Sequence, residues 1–403
     1  MSNAIPDRTA AGFLGLRTRL KARASAYEVE GGASRMIPME GLRGLAVLLV
    51  FFVHYHALFG EYLVRGLWLR SISQFLGTIG NSGVDLFFVM SGYLIYGALI
   101  RREVGYFRFA RRRVQRIYPT FLSVFVGYLV LSLAFPQQSK IPAGAVAGGL
   151  YVLQNLFLLP GIFRITPMIS VAWSLSFEFF FYLTLPILIA ACGMRRWKAQ
   201  LRLAFFALLW GSGGIALVYR GQAPQARMIS FIAGIVLYEV ISVEKIRVLV
   251  PKRGEMGVLL LVLLSFFFFY TVHGPRSQSK MNAFLPVFSL GVSFFFLCLY
   301  SFKCNGALSR AFSWTPFRYL GNMSYSYYLI HGLTLQAVAK VFGFVFPTMD
   351  STVALLALVI GFSATWISSS FLFFLVEKRY SLEVKRPQVL KALSATVALG
   401  KAI

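Results

Sequence analysis

The chain is 403 residues long, 58% hydrophobic and 13% charged, with 40 Lys and Arg against 14 Asp and Glu, a net charge of +26. A soluble domain is about one quarter charged; this composition excludes an ordinary soluble fold and, for the whole chain, a disordered, collagen-like or disulfide-built one. The positive excess reads as the cytoplasmic loops of a membrane protein and not as a nucleic-acid surface.

In chain order, residues 1–35 form a basic cytoplasmic extension with Arg8, Arg17, Arg19, Lys21, Arg23 and Arg35. No cleaved secretory leader is expected, because the polar stretch is too long and no small-residue cleavage site follows the first apolar run. Residues 9–27 suit a basic amphipathic helix lying on the membrane surface. Apolar runs able to cross a ~30 Å hydrocarbon core then recur near 41–59, 77–100, 117–135, 171–192, 203–219, 227–243, 256–272, 284–302, 323–346 and 353–376. The expected fold is therefore an all-α polytopic membrane protein with ten transmembrane helices and both termini on one side. With that alternation, 31 of the 40 Lys and Arg fall on the side of the termini, eight fall on the other side, and Lys340 lies inside a span. The positive-inside rule then places both termini in the cytoplasm. Counting 143–160 as a further span would put Arg195, Arg196, Lys198 and Arg202 outside. That segment, broken by Gly144, Gly148, Gly149 and Pro160, reads as re-entrant or interfacial. One membrane domain, 36–378, is thus followed by a basic cytoplasmic tail, 379–403, and no repeat at a fixed period is visible. The three cysteines, Cys192, Cys298 and Cys304, lack CxxC spacing, and no metal site is expected.

Ionisable residues within spans are costly and each needs a reason. Arg43 and His54 are eleven residues apart, about three helical turns, and so share one face of the first span ~16 Å apart. His54, ~8 Å from the outer end, Asp85, ~12 Å down, and Glu178, ~10 Å down, converge on one depth, whereas His331 falls ~12 Å from the inner surface. A histidine with two carboxylates can take a proton from a hydroxyl, one acid fixing its tautomer. The plainer alternative for either acid is an Asp–Arg type pair that holds helices together.

Arg113 and Arg116 stand at i, i+3 spacing on one face entering the third span, where paired guanidiniums bind phosphate. The positive-inside rule alone accounts for the arginines around them. In the segment 320–331, Ser324, Tyr327, Tyr328 and His331 share a helical stripe, and in 173–182 Ser174, Glu178 and Tyr182 do the same beside Trp173. Such stripes serve either as packing aromatics or as the lining of a site. Ser91, in MSGYLIY, is either a nucleophile or a small residue for close helix packing. GxSxG, P-loop, HExxH and dinucleotide-binding patterns are absent from the sequence.

Five motifs in order, MEGLRGLAVLLVFFVH (39–54), GVDLFFVMSGYLI (83–95), Arg113-x-x-Arg116 followed by IYP, WSLSFEFFFY (173–182) and GNMSYSYYLIH (321–331), resemble those of the acyltransferase-3 family of membrane O-acyltransferases. Tyr327 stands where leucine is frequent, Phe179 and Phe180 replace more polar residues, and Glu377-Lys378 lacks a following proline. With no SGNH-type hydrolase domain in the sequence, the resemblance is to stand-alone members. It implies transfer of an acyl group, commonly acetyl, from cytoplasmic acetyl-CoA to a hydroxyl of a cell-surface or exported carbohydrate. His54 would act as general base or acyl relay, with Asp85 or Glu178 orienting it. Arg43, Arg113 and Arg116 would hold the phosphates of the donor, while Ser324, Tyr325 and His331 line its channel or polarise the thioester. Trp173, Ser174 and Tyr182 would line the acceptor side. The partners implied are acyl-CoA, a carbohydrate (polysaccharide, lipid-linked glycan or glycoside) and the bilayer. A proton-coupled transporter is the competing class, since buried histidines and carboxylates also mark ion paths.

Overall fold

The computed structural model describes residues 27–28, 36–63, 67–220, 226–243, 254–274, 284–346 and 348–382, with backbone alone at Leu67, 213–220 and Phe284. The helix expected within 9–27, Tyr27 excepted, and the tail beyond Leu382 lie outside the described residues.

The described helices are α1 (Ile37–Phe59), α2 (Leu67–Ile79), α3 (Ser82–Arg101), α4 (Tyr106–Ala134), α5 (Ala145–Leu156), α6 (Ala172–Ala191) and α7 (Ala199–Arg220). They continue with α8 (Ile229–Ser242), α9 (Glu255–His273), α10 (Phe284–Lys303), α11 (Ala307–Phe312), α12 (Thr315–Asn322), α13 (Ser324–Val345) and α14 (Ser351–Leu372), which runs on into a π-helical stretch, Phe373–Leu382. Among the described residues, eight helical segments are long and apolar enough to cross a membrane: Ile37–Tyr62, Trp68–Arg101, Tyr106–Ala134, Ala172–Ala191, Glu255–His273, Leu285–Lys303, Ser324–Val345 and Ser351–Leu382. With α7 and the shorter α8, each of the ten expected spans falls on a helix, and the protein is an all-α polytopic membrane protein. α5 has 12 residues, a rise of ~18 Å, too short to cross the core; it begins at Gly144, whose φ of 94° is the left-handed backbone that glycine adopts readily.

α8 is apolar around its whole circumference and is buried along nearly all its length, as such a helix must be when protein rather than lipid surrounds it. It lies against α3 so closely that a Cβ on Gly92 would meet the Phe231 carbonyl and one on Gly234 the Val89 carbonyl. Small residues allow this approach, which substitutes van der Waals contact for the hydrophobic effect that lipid does not supply. α1 is shared by two buried apolar clusters. Leu42, Ala46 and Val50 pack with α3, α4, α6, α8 and α10 in the first, and Val47, Phe51 and Tyr55 pack with α12, α13 and α14 in the second.

Polar contacts gather at the two ends of the bundle. At one end Arg101 Nε donates to Tyr238 at 2.6 Å, Arg195 Nε to the Leu99 carbonyl at 3.1 Å, and Arg202 Nε to Glu239 at 2.5 Å. Tyr96 donates to the same Glu239, which is fully buried. At the other end Arg227 pairs with Asp85, Lys140 Nζ donates to the Pro167 carbonyl at 3.1 Å, and Ser351 Oγ donates to the Tyr62 carbonyl at 3.2 Å.

Candidate active site

A partly open cavity of about 170 Å³ collects residues from five helices. Arg43 comes from α1, Ser91 from α3, Arg113 and Arg116 from α4, Ser174, Glu178 and Tyr182 from α6, and Ser324, Tyr325 and Tyr328 from α13. Its remaining wall is apolar, from Val84 and Phe87 to Ile95 on α3, with Ile117 and Leu175.

Glu178 faces this cavity held by two hydroxyls, Ser91 Oγ donating at 2.8 Å and Tyr182 OH donating to the same carboxylate oxygen. The Arg113 guanidinium stands 5.1 Å from the Phe109 ring and 5.6 Å from the Tyr182 ring, a cation–π seat that fixes it while leaving its buried Nε without a hydrogen-bond partner among the described residues. Ser324 Oγ, nearly fully buried, is likewise unpartnered. Arg116 lies 5.7 Å over the Tyr325 ring and is ion-paired to Glu377 at 2.9 Å. Tyr325 OH donates to the Ile117 carbonyl at 2.8 Å, tying α13 to α4.

His54 and His331 stand beside each other, rings edge to face with centroids 4.7 Å apart. The sequence arithmetic separated them in depth because it started both spans at one surface. α12 accounts for the difference. Gly321 at its end lies against the Glu40 carbonyl and the Gly44 amide so closely that a Cβ there would clash. Residues 44 and 321 are therefore level, and ten residues further on each strand of the pair, ~15 Å, come His54 and His331. α13 thus begins already inside the bundle. The Tyr327 carbonyl lies 2.9 Å from His331 Nδ1. A carbonyl only accepts, so Nδ1 carries the proton and Nε2 presents a lone pair, in a fully buried position with no partner among the described residues. Tyr328 links the two regions: it lines the cavity, donates toward or accepts from Ser174 Oγ at 2.7 Å, and packs 6.1 Å from the His331 ring.

His54, Asp85 and Glu178 each have different partners in the structure. Asp85 sits in the first turn of α3, fully buried, with Arg227 Nη1 at 2.5 Å and Ser230 Oγ at 3.4 Å. It makes the helix-holding Asp–Arg pair, α3 to α8. Glu178 belongs to the arginine-lined cavity. Trp173 is outside that lining, packed edge to face on Phe177 at 5.9 Å. Glu377, which the sequence reading noted only for the proline missing after Lys378, received no role there; its signal was a carboxylate immediately after the last apolar run, 353–376. Among the described residues no three His, Cys, Asp or Glu side chains are grouped to hold a metal.

The cavity thus gathers three arginines and a carboxylate between apolar helices, with a histidine pair beyond Tyr328. The chain belongs to the acyltransferase-3 family, the family described as "Acyltransferase domain", which matches residues 38–372. Acyltransferase MdmB of Streptomyces mycarofaciens is 34% identical over 161 residues, 38% of this chain and 39% of that protein. Peptidoglycan O-acetyltransferase OatA of Listeria monocytogenes is 25% identical over 319 residues, 73% of this chain and 48% of that protein. Exopolysaccharide production protein ExoZ of Rhizobium meliloti is 28% identical over 282 residues, 65% of this chain and 79% of that protein. The chain spans less than half the length of the first two of these relatives. No solved structure matches it.

Proposed function

We propose that the protein is an O-acyltransferase that moves an acetyl group from cytoplasmic acetyl-CoA to a hydroxyl of a carbohydrate at or beyond the outer face of a bacterial inner membrane. The observation that carries this reading is the cavity itself, in which Arg43, Arg113 and Arg116 gather beside an apolar wall and Tyr328, whose ring lies 6.1 Å from that of His331. Guanidiniums suit the phosphates of coenzyme A, and the long thin pantetheine arm suits the apolar passage along α3. The Lys and Arg asymmetry supports placing both termini, and so the donor entrance, in the cytoplasm. The names of the relatives OatA and ExoZ, a peptidoglycan O-acetyltransferase and an exopolysaccharide production protein, support a glycan acceptor.

In this mechanism His54 takes the proton of the acceptor hydroxyl as the oxygen attacks the thioester carbon. The C–S bond breaks, and the sulfur leaves as the thiol once the proton is returned. His54 also suits a two-step relay, its ring nitrogen accepting the acetyl group first and passing it to the hydroxyl. His331 Nε2, with its lone pair free beside the His54 ring, is available to receive a ring N–H once the imidazolium forms, and so to stabilise it. Glu178, held by Ser91 and Tyr182, balances the arginines. Asp85 acts through the packing of α3 against α8.

Purified protein in liposomes, given [acetyl-14C]acetyl-CoA and a glycan acceptor, is expected to transfer label, and His54→Ala is expected to lose at least about 100-fold in rate with unchanged thermal stability. Full transfer by His54→Ala overturns the assigned role. Flux of solute without consumption of acetyl-CoA overturns the enzyme reading.

A further inference from the structure

The π-helical stretch Phe373–Leu382 carries a carboxylate that the proposed reaction does not use. Glu377 is fully buried and both its oxygens are engaged. Oε1 accepts from Arg116 Nη1 at 2.9 Å, and Oε2 accepts from the Ser326 amide at 3.0 Å and the Ser326 hydroxyl at 2.6 Å. Ser326 is the third residue of α13, and its N–H is one of the first four that a helix leaves unpaired, where negative charge is favoured. Four residues on from each partner, the Thr120 and Ser381 hydroxyls meet at 3.4 Å. Two polar rungs therefore fix α4 against the π stretch. π-helical backbone is rare and concentrates at functional sites; here the Glu377 carboxylate joins Arg116 to the start of the helix that carries Ser324 and Tyr325.

We propose that Glu377 is a positioning residue for the cationic end of the cavity. It neutralises Arg116 and pins it to the N-terminus of α13, which leaves Arg113, with its buried and unpartnered Nε, to meet the phosphates of the donor. A ligand phosphate that drew Arg116 away would strand a fully buried carboxylate, the costly way to break such a pair, so the pair persists and the two arginines of the RxxR motif divide the work. The identity of the ligand rests on the donor reading above; the clamp does not.

Two measurements on the full chain in nanodiscs test this. Phenylglyoxal modification mapped by mass spectrometry is expected to label Arg113 and spare Arg116 in the wild type, and Glu377→Gln is expected to open Arg116 to the reagent. Coenzyme A binding by calorimetry is expected to weaken about tenfold in Glu377→Gln, the loss of one charge-assisted hydrogen bond, and to change no further when Glu377→Gln is added to Arg116→Gln. Labelling of Arg116 as fast as Arg113 in the wild type overturns the clamp, as do independent, additive effects of the two substitutions on coenzyme A binding. The wild-type labelling needs no variant to fold. A wild type that binds no coenzyme A defeats the donor reading, and the labelling alone then decides the clamp.

Discussion

At the scale of single residues, the three fully buried carboxylates among the described residues each have an arginine partner, and the partner ties together the helices they stand on. Asp85 has Arg227, Glu239 has Arg202 and Tyr96, and Glu377 has Arg116. These pairs hold helices, because a charge left in the bilayer interior without its counterpart is expensive. Other buried polar atoms have no hydrogen-bond partner among the described residues: Arg113 Nε and Ser324 Oγ in the cavity, His331 Nε2 beside it, and single atoms of Ser82, Tyr151, Trp210, Glu255 and Ser301 outside its lining. Buried polar atoms are almost always satisfied, and the three in and beside the cavity are the ones within reach of the proposed donor and proton path. For His331 the expectation is specific. His331→Asn keeps a side-chain group of similar reach, yet lacks a lone pair of imidazole basicity to receive from His54. Turnover is expected to fall about 100-fold and its pH profile to change shape, while thermal stability in detergent stays close to wild type. An unaltered profile with lowered stability makes His331 a packing residue.

At the scale of elements, the histidine pair exists because α12 sets the register between α1 and α13. Gly321 touches the Glu40 carbonyl and Gly44 the Phe317 carbonyl, so neither position admits a Cβ without a shift of backbone. Gly321→Leu is expected to push α12 from α1 and to carry His331 out of line with His54. The measured outcome is a transition temperature lower by several degrees, the effect of an overpacked contact worth about 1–3 kcal/mol, together with loss of transfer out of proportion to the protein that remains folded. A comparable substitution at Gly343 on α13, which has open space around its Cα, is expected to do neither. The break between α2 and α3 is the second element-scale device, because it puts Asp85 in the first turn of α3, within reach of the start of α8.

At the scale of the whole molecule, the orientation proposed from the Lys and Arg asymmetry of the sequence is open to direct measurement. With Cys192 replaced, single cysteines placed at Arg112 and at Gln137 are expected to react oppositely with a membrane-impermeant maleimide in intact cells. Gln137, between α4 and α5, is expected to label from outside, and Arg112, at the start of α4, only after permeabilisation. The reverse pattern inverts the topology and removes the cytoplasmic donor entrance.

The ten apolar runs, the failure of 143–160 to span, and the residues lining the cavity were legible along the chain because hydropathy and helical spacing are local properties. Arg43, Arg113, Arg116, Ser174, Glu178, Tyr182, Ser324 and Tyr325 could be picked out one helix at a time, and they line one cavity. Depth and pairing were not legible. Depth depends on where each helix starts relative to its neighbours, which here is set by glycine contacts between α1 and α12, hundreds of residues apart in sequence. Pairing depends on which charges lie within hydrogen-bond reach once the helices cross. Only the tertiary structure could therefore give Asp85 to Arg227 and Arg116 to Glu377, and bring His331 to His54.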